Sequence, residues 1–199
     1  KAIRRQRQMC IRDRLIGVEC LSNIVNWKDR GTCILFGDGA GAAVISVEEE
    51  GNIEIPSVLH SDGSRGEVLT CKNPTGERKD GSLEGYVAMD GREIYKFAVR
   101  QVPAVIDEIL EKAEKSVEEI DLFVLHQANR RIVEAIAKRL KQPIEKFPMD
   151  MMQNGNMSSA SIPVLLDELK QEGKLQPGMK IIVAGFGAGL TWGGMYLEW

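Results

Sequence analysis

The sequence predicts an α/β layered fold, a mixed sheet covered by helices, and three observations lead there. Short apolar runs of strand length alternate with longer segments whose apolar residues recur every three or four positions. Glycine-rich connections separate them, as at Gly37–Gly41 and Gly185–Gly189. The chain has no heptad run, and no apolar stretch approaches the roughly 20 residues of a membrane helix.

Residues 1–14 carry six basic side chains against the single acidic Asp13. The near-repeat Arg5-Gln6-Arg7-Gln8 belongs to no signal peptide, because no apolar core follows it, and it resembles translated sequencing-adapter sequence. This segment is expected to be a non-native tail and is set aside from the fold. Strands are expected at 15–18, 32–36 and 42–47, with Gly37–Gly41 as a tight strand connection that requires positive φ. From Glu48 to about Gly85 the chain is rich in Gly, Ser, Asp and Asn, including Asn73-Pro74 and Lys79–Ser82, and reads as loops with one strand near 53–59. One structural half ends there, dividing the chain into 15–84 and 85–199.

The second part opens with a helix in which Ile94, Phe97, Val102, Val105, Ile106, Ile109, Leu110 and Ala113 share a face and Pro103 marks a break or kink. Asp121–Leu125 is a short buried strand ending at His126. The next helix, about 129–141, sets Ile132, Val133, Ile136 and Leu140 against an outer face with Arg131, Glu134, Lys138 and Lys141. Another runs through Leu165, Leu166 and Leu169 with Pro163 in its first turn, and Pro177-Gly178 makes a turn. A strand at 180–184, the glycine-rich Gly185–Gly189 and a last strand through Met195, Tyr196 and Leu197 close the chain.

Composition narrows the class. Hydrophobic residues at 43% and charged residues at 28% are ordinary for a soluble globular protein. A net charge of -3 argues against nucleic acid or an anionic membrane as a bulk partner. The four cysteines form no C-x-x-C pair and only two histidines are present, so no zinc site is expected, and a reducing cytoplasm is the simplest setting.

His126 stands where a buried strand gives way to a helix, a place where α/β folds present functional groups, although a core or capping histidine would also sit there. Asn156, in Asn154-Gly155-Asn156-Met157-Ser158-Ser159-Ala160-Ser161, would alone be read as a loop residue or helix cap. Together with what surrounds them these segments resemble the β-ketoacyl-acyl carrier protein synthase III family. His126-Gln127-Ala128-Asn129, the Asn156 segment, Phe186-Gly187-Ala188-Gly189-Leu190-Thr191-Trp192-Gly193 and the upstream Phe36–Ala42 match four family strings in order. The resemblance spans essentially Leu15–Trp199.

That resemblance implies a thiolase-like fold comprising the end of the first half and most of the second, and a decarboxylative Claisen condensation of acyl-coenzyme A with malonyl-acyl carrier protein. It makes His126 and Asn156 neutral donors to the developing enolate oxygen, and the Ala188 backbone N–H the donor of a second oxyanion hole. Gly91, Tyr95 and Asn129 become candidate contacts for the pantetheine arm. For Gly91 and Tyr95 a helix start with Tyr95 in the core is the competing reading. The helix after His126 would dock the acidic carrier through Arg130, Arg131 and Lys138, unless its charge is only a solvated face. No cofactor or metal is implied, and the full-length enzyme would be a cytoplasmic homodimer.

Three departures qualify the match. The family's nucleophilic cysteine in a small-residue elbow is missing: Cys33 reads as a small core residue of a strand, Cys71 lies in a loop, Cys20 follows a strand, and Cys10 is in the tail. Ala188 and Met157 replace the glycine and threonine common in the family. A phosphate cradle at Phe36–Ala42 lacks the G-x-x-x-x-G-K-[ST] pattern. The rivals are a non-catalytic acyl-carrier-protein-binding module and a relative making a specialised metabolite. An upstream cysteine elbow would separate enzyme from module, and acyl-pocket residues would separate the two enzymes.

Overall fold

A computed structural model describes residues 12–46, 55–72 and 85–199. Cys10, the start of the strand expected near 53–59, Asn73-Pro74 and Lys79–Ser82 lie outside the described residues. Strands β1 (Arg12–Glu19) and β2 (Gly39–Ser46) pair antiparallel as a ribbon. Strand β1 therefore reaches into the segment set aside as a tail. After β3 (Ser57–Ser61), the short pair β4 (Leu69–Cys71) and β5 (Val87–Met89) leads to helix α1 (Gly91–Ala113). Strand β6 (Leu122–Leu125), helix α2 (Arg130–Leu140), the short helix α3 (Met151–Asn154), helix α4 (Ser161–Gln171), and strands β7 (Lys180–Gly187) and β8 (Thr191–Glu198) complete the order.

The main sheet has the order β3-β8-β7-β6, with β6 and β7 parallel and the other pairs antiparallel. Strand alternation assigns its two faces. Phe123, Leu125, Ile182 and Ala184 point toward α1 and α2, joining Val102, Ile106, Ile109, Ile132, Val133 and Ile136 in the larger core. Val124 and Ile181 point the other way, where Leu165 and Leu169 of α4 cover them. Both faces are thus buried, which explains why β6 reads as an unbroken apolar run.

Helix ends follow local chemistry. Asp90 caps α1 by accepting from the N–H groups of Arg92 and Glu93, and Asn129 caps α2 by accepting from Arg131 N–H at 2.9 Å. Glu114 and Lys141 close the two helices in the left-handed conformation. Pro103 does not break α1. It is buried mid-helix, and the Val99 carbonyl, four residues earlier and deprived of its usual donor, lies 3.5 Å from Arg139 Nη1 of α2.

Two local expectations are corrected. Thr32–Leu35 forms turns rather than a strand, because Asp29 accepts from Gly31 N–H and from the Thr32 hydroxyl and winds the chain around itself, leaving Phe36 as a single bridge to Asn156. Cys33 is accordingly a half-buried turn residue, and Cys71 belongs to β4. The glycines of Gly37–Gly41 do not adopt positive φ, and β2 begins among them. Their cause is close approach: a Cβ on Gly41 would lie 2.9 Å from Pro163 Cγ, one on Gly37 would strike the Asn154 carbonyl, and one on Gly17 of β1 would lie 2.5 Å from the Ser159 carbonyl oxygen. Helix α4 and the turn before it are therefore held between the ribbon and the main sheet.

Gly17→Ala should destabilise the fold by about 1–3 kcal/mol, the cost typical of overpacking, because the obstructing atom is backbone and cannot rotate away. Equilibrium denaturation checks it, and unchanged stability would show that the ribbon lies farther from the Ser159–Ala160 turn than its 2.5 Å approach implies.

Candidate active site

A cavity of about 860 Å³ opens among the connection from β1 to β2, the β4–β5 pair, the starts of α1 and α2, and the end of β7. His126, Asn156, Ala188, Gly91, Tyr95 and Asn129 all line it, together with Arg131 at its rim. Six residues named from sequence as catalytic or substrate-contacting thus share one cavity. Tyr95 is exposed toward it rather than packed in the core. Asn129 combines both readings, since its Oδ1 caps α2 while the residue lines the cavity. Gly91 opens α1, and Ala188 follows β7 at the hairpin to β8.

His126 extends β6 by donating its backbone N–H to the Ala184 carbonyl of β7 at 2.9 Å. The Phe186 ring meets the imidazole edge to face at 5.2 Å, and Phe97 and Trp192 buttress that wall. Its Nδ1 lies 2.8 Å from Ser161 Oγ. Burial holds its pKa down from the ordinary 6.5 to about 4, against a smaller opposing pull from the Glu19 carboxylate. The ring is neutral at pH 7.

Asn156 is fixed through both backbone and side chain. Its N–H donates to the Leu35 carbonyl at 2.8 Å, and its carbonyl accepts from Gly37 N–H at 3.0 Å. Its Oδ1 accepts from Ser158 N–H at 2.9 Å, and its amide NH₂ has no hydrogen-bond partner among the described residues. Ser158, at φ 47°, takes a left-handed conformation to make that contact.

Sequence reasoning missed three supports. Gln127 is fully buried and joins the loop after β6 to the segment leading to Asn156: its Nε2 donates to Leu125 O at 2.7 Å, and its Oε1 accepts from Asp150 N–H at 3.2 Å. Glu19 Oε1 accepts from both the N–H and the hydroxyl of Ser159, clamping β1 to the turn behind the site. Ser161 touches His126 itself. The usable signal was that Gln127 and Ser161 lie inside the two quoted motifs.

Other described groups offer less chemistry. No cluster of three or more His, Cys, Asp or Glu that could hold a metal occurs among the described residues, and no described helix is long and apolar enough to cross a membrane. Cys20 is exposed beside Asp38, whereas Cys71 lines the cavity.

A mixed sheet with helices on both faces, and a deep cavity presenting a neutral imidazole and an oriented amide, define a thiolase-like protein. Family models described as 3-oxoacyl-[acyl-carrier-protein (ACP)] synthase III and its C-terminal part match residues 13–63 and 110–199. The chain belongs to the β-ketoacyl-acyl carrier protein synthase III family. It is 44% identical over 190 residues to the Clostridium acetobutylicum protein of that name, covering 93% of this chain and 58% of the relative. The Clostridium perfringens protein is 48% identical over 189 residues, covering 92% and 58%. The crystal structure of the Aquifex aeolicus synthase III superposes with a TM-score of 0.87 at 40% identity, covering 98% of this chain and 60% of that one. The chain therefore spans a little under two thirds of the length of the relatives it matches.

A depressed histidine pKa makes stability depend on pH. The unfolded chain takes up a proton near 6.5 and the folded one only near 4, so the neutral ring's contribution is complete above pH 6.5 and is lost as pH falls toward 4. The loss should be on the order of 3 kcal/mol and absent in His126→Gln, measured by denaturant titration at stepped pH. A His126 resonance titrating near 6.5 in the wild type would contradict it.

Proposed function

We propose that the full-length protein catalyses the decarboxylative Claisen condensation of an acyl group from acyl-coenzyme A with malonyl-acyl carrier protein, the step that starts fatty-acid synthesis. The observation that carries this reading is the convergence of His126 and Asn156, from two separate loops, on one cavity. Decarboxylation places negative charge on the malonyl thioester oxygen, and two polar groups held in a largely apolar pocket stabilise that charge more than they stabilise the starting carboxylate. The Ala188 backbone N–H serves the acyl-thioester oxygen, and Gly91, Tyr95 and Asn129 contact the pantetheine arm. No cofactor takes part.

The acyl-accepting thiol comes from protein outside these residues. Cys20 and Cys33 lie in a surface position and a turn, and Cys71 in β4 lacks a small-residue elbow. Exposed Leu15, Ile16, Val18, Val44 and Ile45 on the ribbon support further chain packing there, as does the greater length of the relatives. The assembly is a cytoplasmic homodimer.

Carrier docking falls to the outer face of α2. Arg131 and Lys138 are exposed, and Arg131 also lines the cavity rim. Arg130 shares the face, but its guanidinium is paired with Glu134 at 2.7 Å. Among the described residues Arg131 and Lys138 have no ion-pair partner, which leaves them as the principal contacts for an acidic carrier.

Two outcomes test the reading. Asn156→Ala and His126→Ala should each lower malonyl decarboxylation about 10²- to 10³-fold, with the double variant losing less than the product because both serve one oxygen. Unchanged decarboxylation in either would remove that residue from the mechanism. Arg131→Glu with Lys138→Glu should weaken use of malonyl-acyl carrier protein at low salt, less so at high salt, and spare malonyl-coenzyme A. Equal losses with both substrates would place the docking surface elsewhere.

A further inference from the structure

Three contacts converge on the hydroxyl of Ser161, a fully buried side chain at the start of α4. Its oxygen lies 2.7 Å from the Ser158 carbonyl oxygen, 2.8 Å from His126 Nδ1 and 3.4 Å from the Gln127 backbone nitrogen. A hydroxyl has one hydrogen to donate and two lone pairs to accept with. The Ser158 carbonyl can only accept. Were the hydrogen turned to the imidazole instead, two oxygen lone pairs would face each other at 2.7 Å in a site without water's screening. The hydrogen therefore goes to Ser158. Gln127 N–H, which can only donate, occupies one lone pair at long range. The other lone pair needs a donor, and only a hydrogen on Nδ1 supplies it.

We propose that Ser161 is a positioning residue that holds His126 with its hydrogen on Nδ1, so that the neutral ring presents Nε2 to the cavity as an acceptor. This changes the part His126 plays in the reaction. A neutral ring so held cannot donate to a thioester oxygen until Nε2 takes up a proton from solvent, which enters with the anionic malonyl carboxylate and passes to the thiolate that the condensation releases. The group serves as acceptor before it serves as donor. Burial disfavours the imidazolium, so that proton is retained only while an anion in the cavity faces it. This consequence rests on the proposed condensation, whereas the tautomer does not.

The second histidine provides a standard. His60 Nε2 lies 2.9 Å and 3.1 Å from the two oxygens of the Glu108 carboxylate, which can only accept, so His60 carries its hydrogen on Nε2. Long-range ¹H–¹⁵N spectra of the full-length protein labelled at histidine nitrogen, at pH 7, read both rings directly. His126→Gln and His60→Gln assign the signals. The expected result is opposite tautomers, with Nδ1–H at His126 and Nε2–H at His60. Ser161→Ala removes the acceptor and should move His126 toward Nε2–H by about tenfold in population, the worth of one hydrogen bond, whereas Ser161→Thr should retain Nδ1–H. A wild-type His126 carrying its hydrogen on Nε2 overturns the proposal, as does an unchanged tautomer in a folded Ser161→Ala. Should Ser161→Ala fail to fold, the wild-type spectrum decides alone. Because the readout is the ring and not turnover, failure of the condensation reading would leave this result standing.

Discussion

The chain from Asn154 to Val164 runs against the β1–β2 ribbon and the residues just before β2 at a separation that no side chain on the facing glycines would permit, and the candidate site depends on that contact. Gly17, Gly37 and Gly41 are small for lack of room, and what they admit is the backbone that carries Asn156, Ser158 and Ser161. Leu35 and Gly37, in the connection just before β2, then bond directly to the Asn156 backbone, so the ribbon makes space for the Asn156 loop and the connection sets its height. A loop held this way is rigid through its main chain, which places its side chains more exactly than packing alone would.

The polar groups behind the site follow a consistent plan. Gln127 and Ser161 are fully buried, yet each has partners on opposite sides: Gln127 spans from Leu125 to Asp150, and Ser161 from His126 to Ser158. A buried polar group costs little when satisfied and much when one partner is removed, so such nodes make the arrangement nearly all-or-none. Aromatic packing completes the enclosure. Phe186 against His126 keeps water from one side of the ring, and the same exclusion that lowers the ring's basicity strengthens any charge interaction inside the cavity.

Much of this was legible in the residues. Apolar periodicity located α1, α2 and the buried strand before His126, because those elements are shaped by the core they face. Each of the four motif strings contributes at least one residue to the cavity wall. Elsewhere the cause was nonlocal. Thr32–Leu35 has strand-like composition but obeys Asp29, a single carboxylate that satisfies the local N–H and hydroxyl groups. The glycines at 37, 39 and 41 look like a turn because turns are the commonest reason for glycine, and only the positions of Asn154, Met157 and Pro163, more than a hundred residues later, reveal the steric one. Gln127 and Ser161 could be seen as motif members, but their hydrogen-bond partners are set by tertiary structure and no spacing announces them.

The proline inside α1 has a consequence at some distance from itself. By lacking an N–H it leaves the Val99 carbonyl open, and Arg139 of α2 reaches across to it. That guanidinium is thereby tethered, although it belongs to a helix whose exposed residues are mostly basic. A residue with an N–H at position 103 would close the helix on itself and release Arg139, freeing its positive charge to move on the helix that carries Arg131 and Lys138. The electrostatic character of that helix face is thus adjustable from a helix interior, and two proteins with identical surface residues could differ in charge presentation through one buried imino acid.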